Sequence, residues 1–598
     1  MCGIIGYTGF REASAVVMEC LQRLEYRGYD SAGLAVVGGQ LHLFKKVGTI
    51  GDLAADVPDM QGGTAIGHTR WATHGEVTLA NAHPHTDCRR EIAVAHNGII
   101  ENFQKLRQEL QRAGHTFASE TDTEVVAHLI EDAYEGSLPQ AVAAALKKIE
   151  GSYALVAVAR EEPGLMVAAR RESPLVVGMG DREQFVASDV PAFLPFTKRV
   201  IYVEDGDLVV VRPDSVQILD PAGRQADREE CLITWDVEDA QKAGYEHFML
   251  KEIHEQPTSI AHTLRGRLSE IEPQVLLEEA DLGETDSLAI VACGTSYYAG
   301  MVGAYIMEQL ASIPVATALS SEYRYFGQKR GTVIGVTQSG ETADTLGALR
   351  AAQRHGCRTM AITNVAGSTA TRIADATILT RCGPEIGVAA TKTFTSQVAV
   401  LVLLALKMGL SSGALQTDAV RGYVSALRHL PSAVTRVLDR EEHLRQVAQT
   451  LASSRHLFFI GRGIHHPLAL EGALKMKEIS YLHAEGFAAG ELKHGPFALL
   501  TPETPVIALV DDDPVRDKML TNIGEIKARK SPVIAVAPDH DAEIEAFVDG
   551  VIRVPSLPPP LSCFPTVVAL QLLAYHVARE RGCSIDKPRN LAKSVTVE

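Results

Sequence analysis

Leu288-Ala289-Ile290-Val291-Ala292-Cys293-Gly294-Thr295-Ser296 sets an apolar run of strand length against a turn of glycine and hydroxyl residues, and a helical stretch over 297–311 follows. The same order returns at Val333 to Val336, where Thr337-Gln338-Ser339-Gly340-Glu341-Thr342 leads into a helix over 342–355. Strand, polar turn and helix in repetition predict a parallel sheet wound with helices. Thr359 to Thr363 and a helix from about Thr391 complete this unit. A second set reads as its duplicate: Leu457 to Ile460 then 467–480, Val506 to Val510 then 515–529, Val533 to Ala537, and a helix from Thr566. Ligands of such sheets sit at the carboxyl ends of the strands, so the loops after the first two strands of each unit are where chemistry is expected.

Upstream the pattern differs. From Cys2 to about Val211 apolar runs such as Ala154 to Ala159, Leu165 to Ala169 and Val200 to Val211 alternate with helical stretches 102–113 and 122–134, which predicts an α/β layered domain. The segment Glu229 to Gln256 is charged and aromatic, with a helical Tyr245 to Gln256, and reads as a connector rather than a core; the main boundary is expected near residue 240. A chain of 598 residues accommodates roughly three to four domains, and 46% hydrophobic residues supply their cores. With 57 Lys and Arg against 74 Asp and Glu, the net charge is −17 and no basic run exists, which argues against a nucleic acid partner. Nine scattered cysteines without a CxxC suit a reducing compartment, so the cytoplasm is expected. No export signal is read at Cys2-Gly3-Ile4-Ile5-Gly6, and the run Val398 to Leu406 is too short to predict a membrane span.

Hydroxyls, a glycine and free helix N–H groups make the loops 293–296 and 337–342 an anion cradle. One such loop would be read as an N-cap; two in one sheet favour a phosphate. The corresponding loop Asp511-Asp512-Asp513 would repel one, which assigns the phosphate to the first unit. Lys475 and Glu478, three apart, share a helix face, and composition leaves open whether they form a solvated ion pair or a proton-transfer device. His83, His85, Asp87 and Cys88 invite a metal, but no partner pair is evident in sequence, so none is expected. Cys2 is the strongest single feature: with Met1 removed it would carry a thiol and an α-amine of pKa about 7.7–8.0, nucleophile and base on one residue. The alternative is a small residue in a buried strand.

Four motifs in order, Cys2-Gly3-Ile4-Ile5-Gly6-Tyr7, Gly67-His68-Thr69-Arg70-Trp71-Ala72-Thr73-His74-Gly75, His96-Asn97-Gly98 and Glu120-Thr121-Asp122, resemble a glutaminase of the N-terminal-nucleophile class. The second half resembles paired sugar isomerase domains, and the tail Pro588 to Glu598 completes a full-length resemblance to the isomerising glutamine:fructose-6-phosphate aminotransferase family. The resemblance implies an αββα glutaminase domain over 2–240, a connector 241–280, doubly wound parallel-sheet isomerase domains at 281–430 and 431–588, and a catalytic tail 589–598. It implies that Cys2 attacks the glutamine amide, with Asn97 and Gly98 holding the oxyanion. Arg70 and Asp122 would hold the α-carboxylate and α-ammonium, Thr73, His74 and His83 would shape the pocket, and Trp71 would gate an ammonia channel. Ser296, Thr337, Gln338, Ser339 and Thr342 would hold the phosphate of fructose 6-phosphate, with Thr295 and Val388 nearby. Lys593 would form an imine with the open ketose, Glu478 would move the proton between C1 and C2, Lys475 would support that step, and His494 would assist ring opening across a homodimer interface. No metal or organic cofactor is implied.

Three positions depart from the family pattern: Thr337 and Ala390 stand where serine is usual, and Phe487 where tyrosine is. A sugar-phosphate-binding regulator with a silent glutaminase half is the rival reading, as is another glutamine amidotransferase; intact Cys2, Asn97, Asp122, Glu478 and Lys593 weigh against the regulator, and the absence of the other enzymes' nucleotide-binding loops against the second.

Overall fold

Short strands whose alternate residues are apolar on both faces must be covered twice, and the N-terminal third does this with two sheets between two layers of helix. In the computed structural model the described residues are all except 1, 59, 61, 72–75, 234–241, 270–273, 278–286, 328–330 and 597–598. The boundary expected near 240 lies outside them, as does part of the expected connector. An eight-stranded sheet is centred on Gly3–Gly9, antiparallel to both Thr64–Arg70 and Glu183–Ala187. A six-stranded sheet contains the antiparallel pair Ile92–Ile100 and Gly151–Ala159. The two-residue period sends Ile4 inward, between the sheets with Ile66, Ala95 and Val156, and Ile5 outward under helix Ala13–Leu24. Helices Phe103–Ala113, Glu124–Ala133 and Leu138–Leu146 cover the second sheet. The result is the expected αββα layering.

The second half contains two five-stranded parallel sheets with one shared strand order, second-first-third-fourth-fifth in chain order. The first reads Val315–Leu319, Leu288–Ala292, Thr332–Val336, Arg358–Thr363, Ala376–Leu379; the other reads His483–Ala488, His456–Gly461, Val506–Leu509, Val533–Pro538, Gly550–Val554. The duplication is therefore topological as well as sequential. The three inner strands of each were legible; the outer strands were not, because half-exposed edges such as Val315–Leu319 and the His- and Glu-bearing His483–Ala488 lack a continuous apolar run. Helices Lys392–Ser411 and Cys563–Glu580 are buried on nearly every side. The former is long and apolar enough to cross a membrane, yet most of it lies inside the protein, where an all-round apolar helix belongs.

One expectation is corrected. The segment read as a connector contributes helix Phe248–His254, whose Met249 and Ile253 are fully buried in the isomerase core. Its charges misled because they are used internally: Glu252 accepts hydrogen bonds from Ile386 N and Gly387 N, and Lys251 pairs with Glu255. The C-terminal tail threads between the two halves. Lys587 Nζ meets Glu25 at 2.5 Å, Tyr29 donates to Pro588 O at 2.9 Å, and Ala343 N donates to Val595 O at 3.0 Å.

Leu404 is fully buried on the central helix. Leu404→Ala should cost about 2–5 kcal/mol, seen as a lower urea midpoint for the isomerase half; an unchanged midpoint would show that this helix does not bear the core.

Candidate active site

Cys2 stands at the mouth of the first strand, where its Sγ accepts from Trp71 N at 3.2 Å and its carbonyl accepts from Asn97 Nδ2 at 3.0 Å and Arg27 Nε at 3.3 Å. Burial pushes the thiol pKa up, so a thiolate here depends on nearby positive charge and N–H donors. Asn97 is oriented by His68, whose Nε2 donates to Asn97 Oδ1 at 3.2 Å and to His96 O at 3.1 Å. Both partners of that nitrogen are acceptors, so the proton is on Nε2, and burial holds His68 neutral with its pKa lowered to about 3. His83 stacks on His68 with centroids 4.1 Å apart, which places it one ring behind the His68–Asn97 hydrogen bond. Gly98 has φ +121°, and a Cβ there would sit 2.1 Å from Ser152 O, so the turn beside Asn97 requires glycine.

Asp122 is buried and accepts from Ile100 N at 2.8 Å through one oxygen, Oδ2. Arg70 is buried and donates to Glu76 O at 3.2 Å; burial lowers its pKa, and Asp30 and Asp122 oppose that. Trp71 meets Tyr29 edge to face at 5.6 Å, which connects the residue bonded to Cys2 Sγ to the tail through the Tyr29–Pro588 bond. Thr73 and His74 lie outside the described residues. The four residues considered for a metal separate: His83 and His85 form a buried ring pair 4.6 Å apart, Asp87 caps the turn by accepting from Glu91 N and Ile92 N, and Cys88 faces another way.

In the first isomerase unit Thr337 Oγ1 lies 3.0 Å from Thr342 Oγ1 and accepts from Gly340 N, while Ser339 Oγ accepts from Glu341 N, so the loop is a closed hydroxyl-and-amide ring. Ser296 Oγ accepts from Gln397 Nε2 at 3.0 Å. Thr295 turns to Glu471 of the other unit at 3.3 Å, and Val388 N donates to Asp586 O. Lys475 is fully buried, which removes the solvated-pair reading: its Nζ lies 2.5 Å from Glu478 and 3.6 Å from Glu471. Burial opposes the ammonium, but the two carboxylates raise its pKa. Glu471, buried at the same place, is pushed up to about 8. His494 is exposed at the end of the turn Ala489–His494.

Lys593 is the point where sequence reasoning needs revision. The resemblance makes it an imine-forming amine, but in the fold it is one half of a buried ion pair: Nζ lies 2.5 Å from Glu385 Oε2, with the side chains 5% and 0% exposed. Burial works against the Glu385 carboxylate, yet Lys593 and the bonds from Thr391 N, Thr393 N and Thr393 Oγ1 hold its pKa down to about 2. Glu385 and Glu471 were missed because a single glutamate in Gly383-Pro384-Glu385-Ile386 or on a helix carries no local signal of burial. A cavity of about 960 Å³ lies between the halves, with Arg27, Ser188 and Asp189 on its glutaminase side and Gln338, Ser339 and Lys593 on the other.

Fold and site together define a glutamine amidotransferase joined to a duplicated sugar isomerase module. The glutamine amidotransferase domain model matches residues 68–195, and the SIS domain model matches 281–407 and 450–581. The chain is 50% identical over its whole length to the whole glutamine–fructose-6-phosphate aminotransferase (isomerizing) of Methanosarcina acetivorans, and 48% identical, again over both full lengths, to that of Thermus thermophilus. The solved C-terminal domain of glucosamine-fructose-6-phosphate aminotransferase from Francisella tularensis covers 58% of the chain with TM-score 0.56 and 35% identity. The chain belongs to the glutamine–fructose-6-phosphate aminotransferase (isomerizing) family and is an enzyme.

Glu385→Gln should leave the Lys593 ammonium buried and unpaired, a cost of about 3–5 kcal/mol that undocking the tail relieves. Amide exchange over 588–596 should accelerate. Because the folded pKa of Glu385 is depressed, its contribution is present above about pH 4.3 and is lost as pH falls toward 2. Unchanged exchange in the variant would show that the pair does not hold the tail.

Proposed function

We propose that the chain converts glutamine and fructose 6-phosphate to glutamate and glucosamine 6-phosphate, passing ammonia through the cavity between its halves. The observation that carries this reading is that cavity: Arg27, which touches the Cys2 carbonyl, lines one side, and Lys593 with the 337–342 loop lines the other. Ammonia released into water would largely protonate and cease to be a nucleophile, so a protein-walled path is what coupling requires.

Cys2, freed of Met1, attacks the glutamine amide; its α-amine takes the thiol proton, and Asn97 Nδ2 and Gly98 N–H receive the oxyanion charge. Arg70 and Asp122 hold the α-carboxylate and α-ammonium, a charge complement that excludes simple amides. Thr73 and His74 complete that pocket, with Trp71 at the channel mouth. In the isomerase half Ser296, Thr337, Gln338, Ser339 and Thr342 hold the phosphate, with Thr295 and Val388 beside them. His494, exposed as a residue serving a neighbouring protomer would be, opens the sugar ring across a homodimer interface. Lys593 adds to the ketose carbonyl and loses water to form the imine; its ammonium proton must first leave, which requires the 2.5 Å pair with Glu385 to open when the sugar binds. Glu478 then carries the proton between C1 and C2, held 2.5 Å from Lys475 Nζ. The glutaminase domain over 2–240, the isomerase domains over 281–430 and 431–588 and the tail from 589 divide the labour, and the cytoplasm is the compartment proposed for it.

Cys2→Ala should abolish glutamine-dependent glucosamine 6-phosphate formation while sparing interconversion of fructose 6-phosphate and glucose 6-phosphate. Glutamate release by that variant would remove Cys2 as nucleophile, and no glutamate release by the parent would favour a silent regulator.

Lys593→Arg keeps the charge and the Glu385 pair but cannot form an imine. Borohydride trapping of sugar and amino-sugar synthesis should both be lost while glutamine hydrolysis persists. Sugar trapped on another lysine, with the variant still active, would overturn the assignment.

A further inference from the structure

Among the described residues one group of side chains outside the active sites has the donor set of a metal centre. Cys88 sits on the turn before strand Ile92–Ile100, His115 follows the end of helix Phe103–Ala113, and His128 and Glu131 lie three apart on one face of helix Glu124–Ala133. Cys88 Sγ lies 3.5 Å from His115 Nδ1 and 3.6 Å from His128 Nδ1, while Glu131 Oε2 lies 3.0 Å and 3.1 Å from the same two nitrogens. All four donor atoms fall within 4.8 Å of one another. A tetrahedral zinc ion with bonds of about 2.0–2.3 Å separates its ligand atoms by about 3.4–3.7 Å. The pocket is already close to that size.

The opposite edges of the imidazoles carry the second argument. His115 Nε2 lies 2.8 Å from Asp132 Oδ1, and His128 Nε2 lies 3.8 Å from Glu124 Oε1. Each ring thus has a carboxylate against both nitrogens. A neutral imidazole can donate to only one of them, so each ring sits where positive charge is called for, and either a second proton or a cation on Nδ1 supplies it. A cation bound by the two Nδ1 atoms removes the conflict: both protons move to Nε2 and point at Asp132 and Glu124, the carboxylate–histidine–metal arrangement that orients ligands in known centres.

We propose that Cys88, His115, His128 and Glu131 bind one divalent transition-metal ion of the zinc class as a structural staple. Binding forms one metal–sulfur, two metal–nitrogen and one metal–oxygen bond, and the Cys88 thiol gives its proton to solvent. The thiolate and the Glu131 carboxylate balance the two charges of the ion, so the site is neutral. Thiolate and imidazole donors select zinc or cobalt over calcium or magnesium, which prefer all-oxygen shells. The staple ties three separate segments together on the helix that starts two residues after Asp122, and so braces the glutamine pocket without touching it. Sequence spacing hid the site because Cys88 was paired with its neighbours His83 and His85, whereas its ligand partners come from 27, 40 and 43 positions further on.

The test uses the full-length chain stripped by a chelator and titrated with Co(II) alone, then with Zn(II). Uptake of about one equivalent per chain is expected, with tetrahedral visible bands and a thiolate-to-cobalt charge-transfer band, and Zn(II) should displace the cobalt and raise the thermal midpoint. Cys88→Ser should abolish the charge-transfer band. Asp132→Asn, which leaves all four ligands in place, should weaken Zn(II) binding about 10- to 100-fold. Cys583→Ser, at a remote cysteine, should change neither. No cobalt uptake, a charge-transfer band that survives Cys88→Ser, or a band lost in Cys583→Ser overturns the proposal. Should Cys88→Ser fail to fold, an unchanged zinc affinity in Asp132→Asn overturns it alone.

Discussion

The architecture depends on one buried ion pair, Lys593 with Glu385. A short tail has little apolar surface with which to offset its ordering entropy, and a lysine three residues before the last described position would ordinarily be a solvated charge. Glu385, fixed by Thr391 and Thr393, gives that ammonium a reason to be inside. Once it is inside, Val595 joins the first isomerase loop, Pro588 meets Tyr29 and Lys587 meets Glu25. The same short segment therefore supplies the amine proposed to form the imine, one wall of the inter-domain cavity and a strap across both halves.

At the other end of the cavity, order is imposed by neutral groups rather than charge. The stacked pair His83 and His68 is too deeply buried to ionise, and it is this neutrality that lets His68 Nε2 donate to Asn97 and turn the amide nitrogen toward Cys2. Gly98 and Gly33 let backbones approach where any side chain would collide with Ser152 O or His83 O. The glutaminase pocket is thus positioned by packing, and the sugar site by a paired charge. An ion-pair disturbance should accordingly be felt first at the sugar end.

Much of this was legible in the residues. Two repeats of strand, polar turn and helix predict the two parallel sheets, and apolar runs alternating with helical stretches over 2–211 predict the α/β layered half. Cys2 as candidate nucleophile and the hydroxyl loop at 337–342 stand in short stretches whose chemistry is local, whereas Asn97, Gly98 and Asp122 are picked out only by the resemblance of their motifs to a glutaminase. Helix Phe248–His254 was misread for the complementary reason: charged residues signal a surface unless their partners are known, and the partners of Glu252 are backbone groups more than a hundred residues away.

What the sequence by itself determined is what period and adjacency control: layer architecture, the duplication, and which loops carry the terminal thiol and the hydroxyl-and-glycine turns. Tertiary structure alone decided the states of the buried charges. Lys475 is a buried ammonium paired with Glu478 rather than a surface pair, Glu471 beside it is driven up to about 8 while Glu385 is held down to about 2, and Cys88 leaves its histidine neighbours for His115, His128 and Glu131. The reason is physical: the energy of a charge or a lone pair is set by what lies within a few ångströms in space and by whether water reaches it, and neither is encoded in distance along the chain.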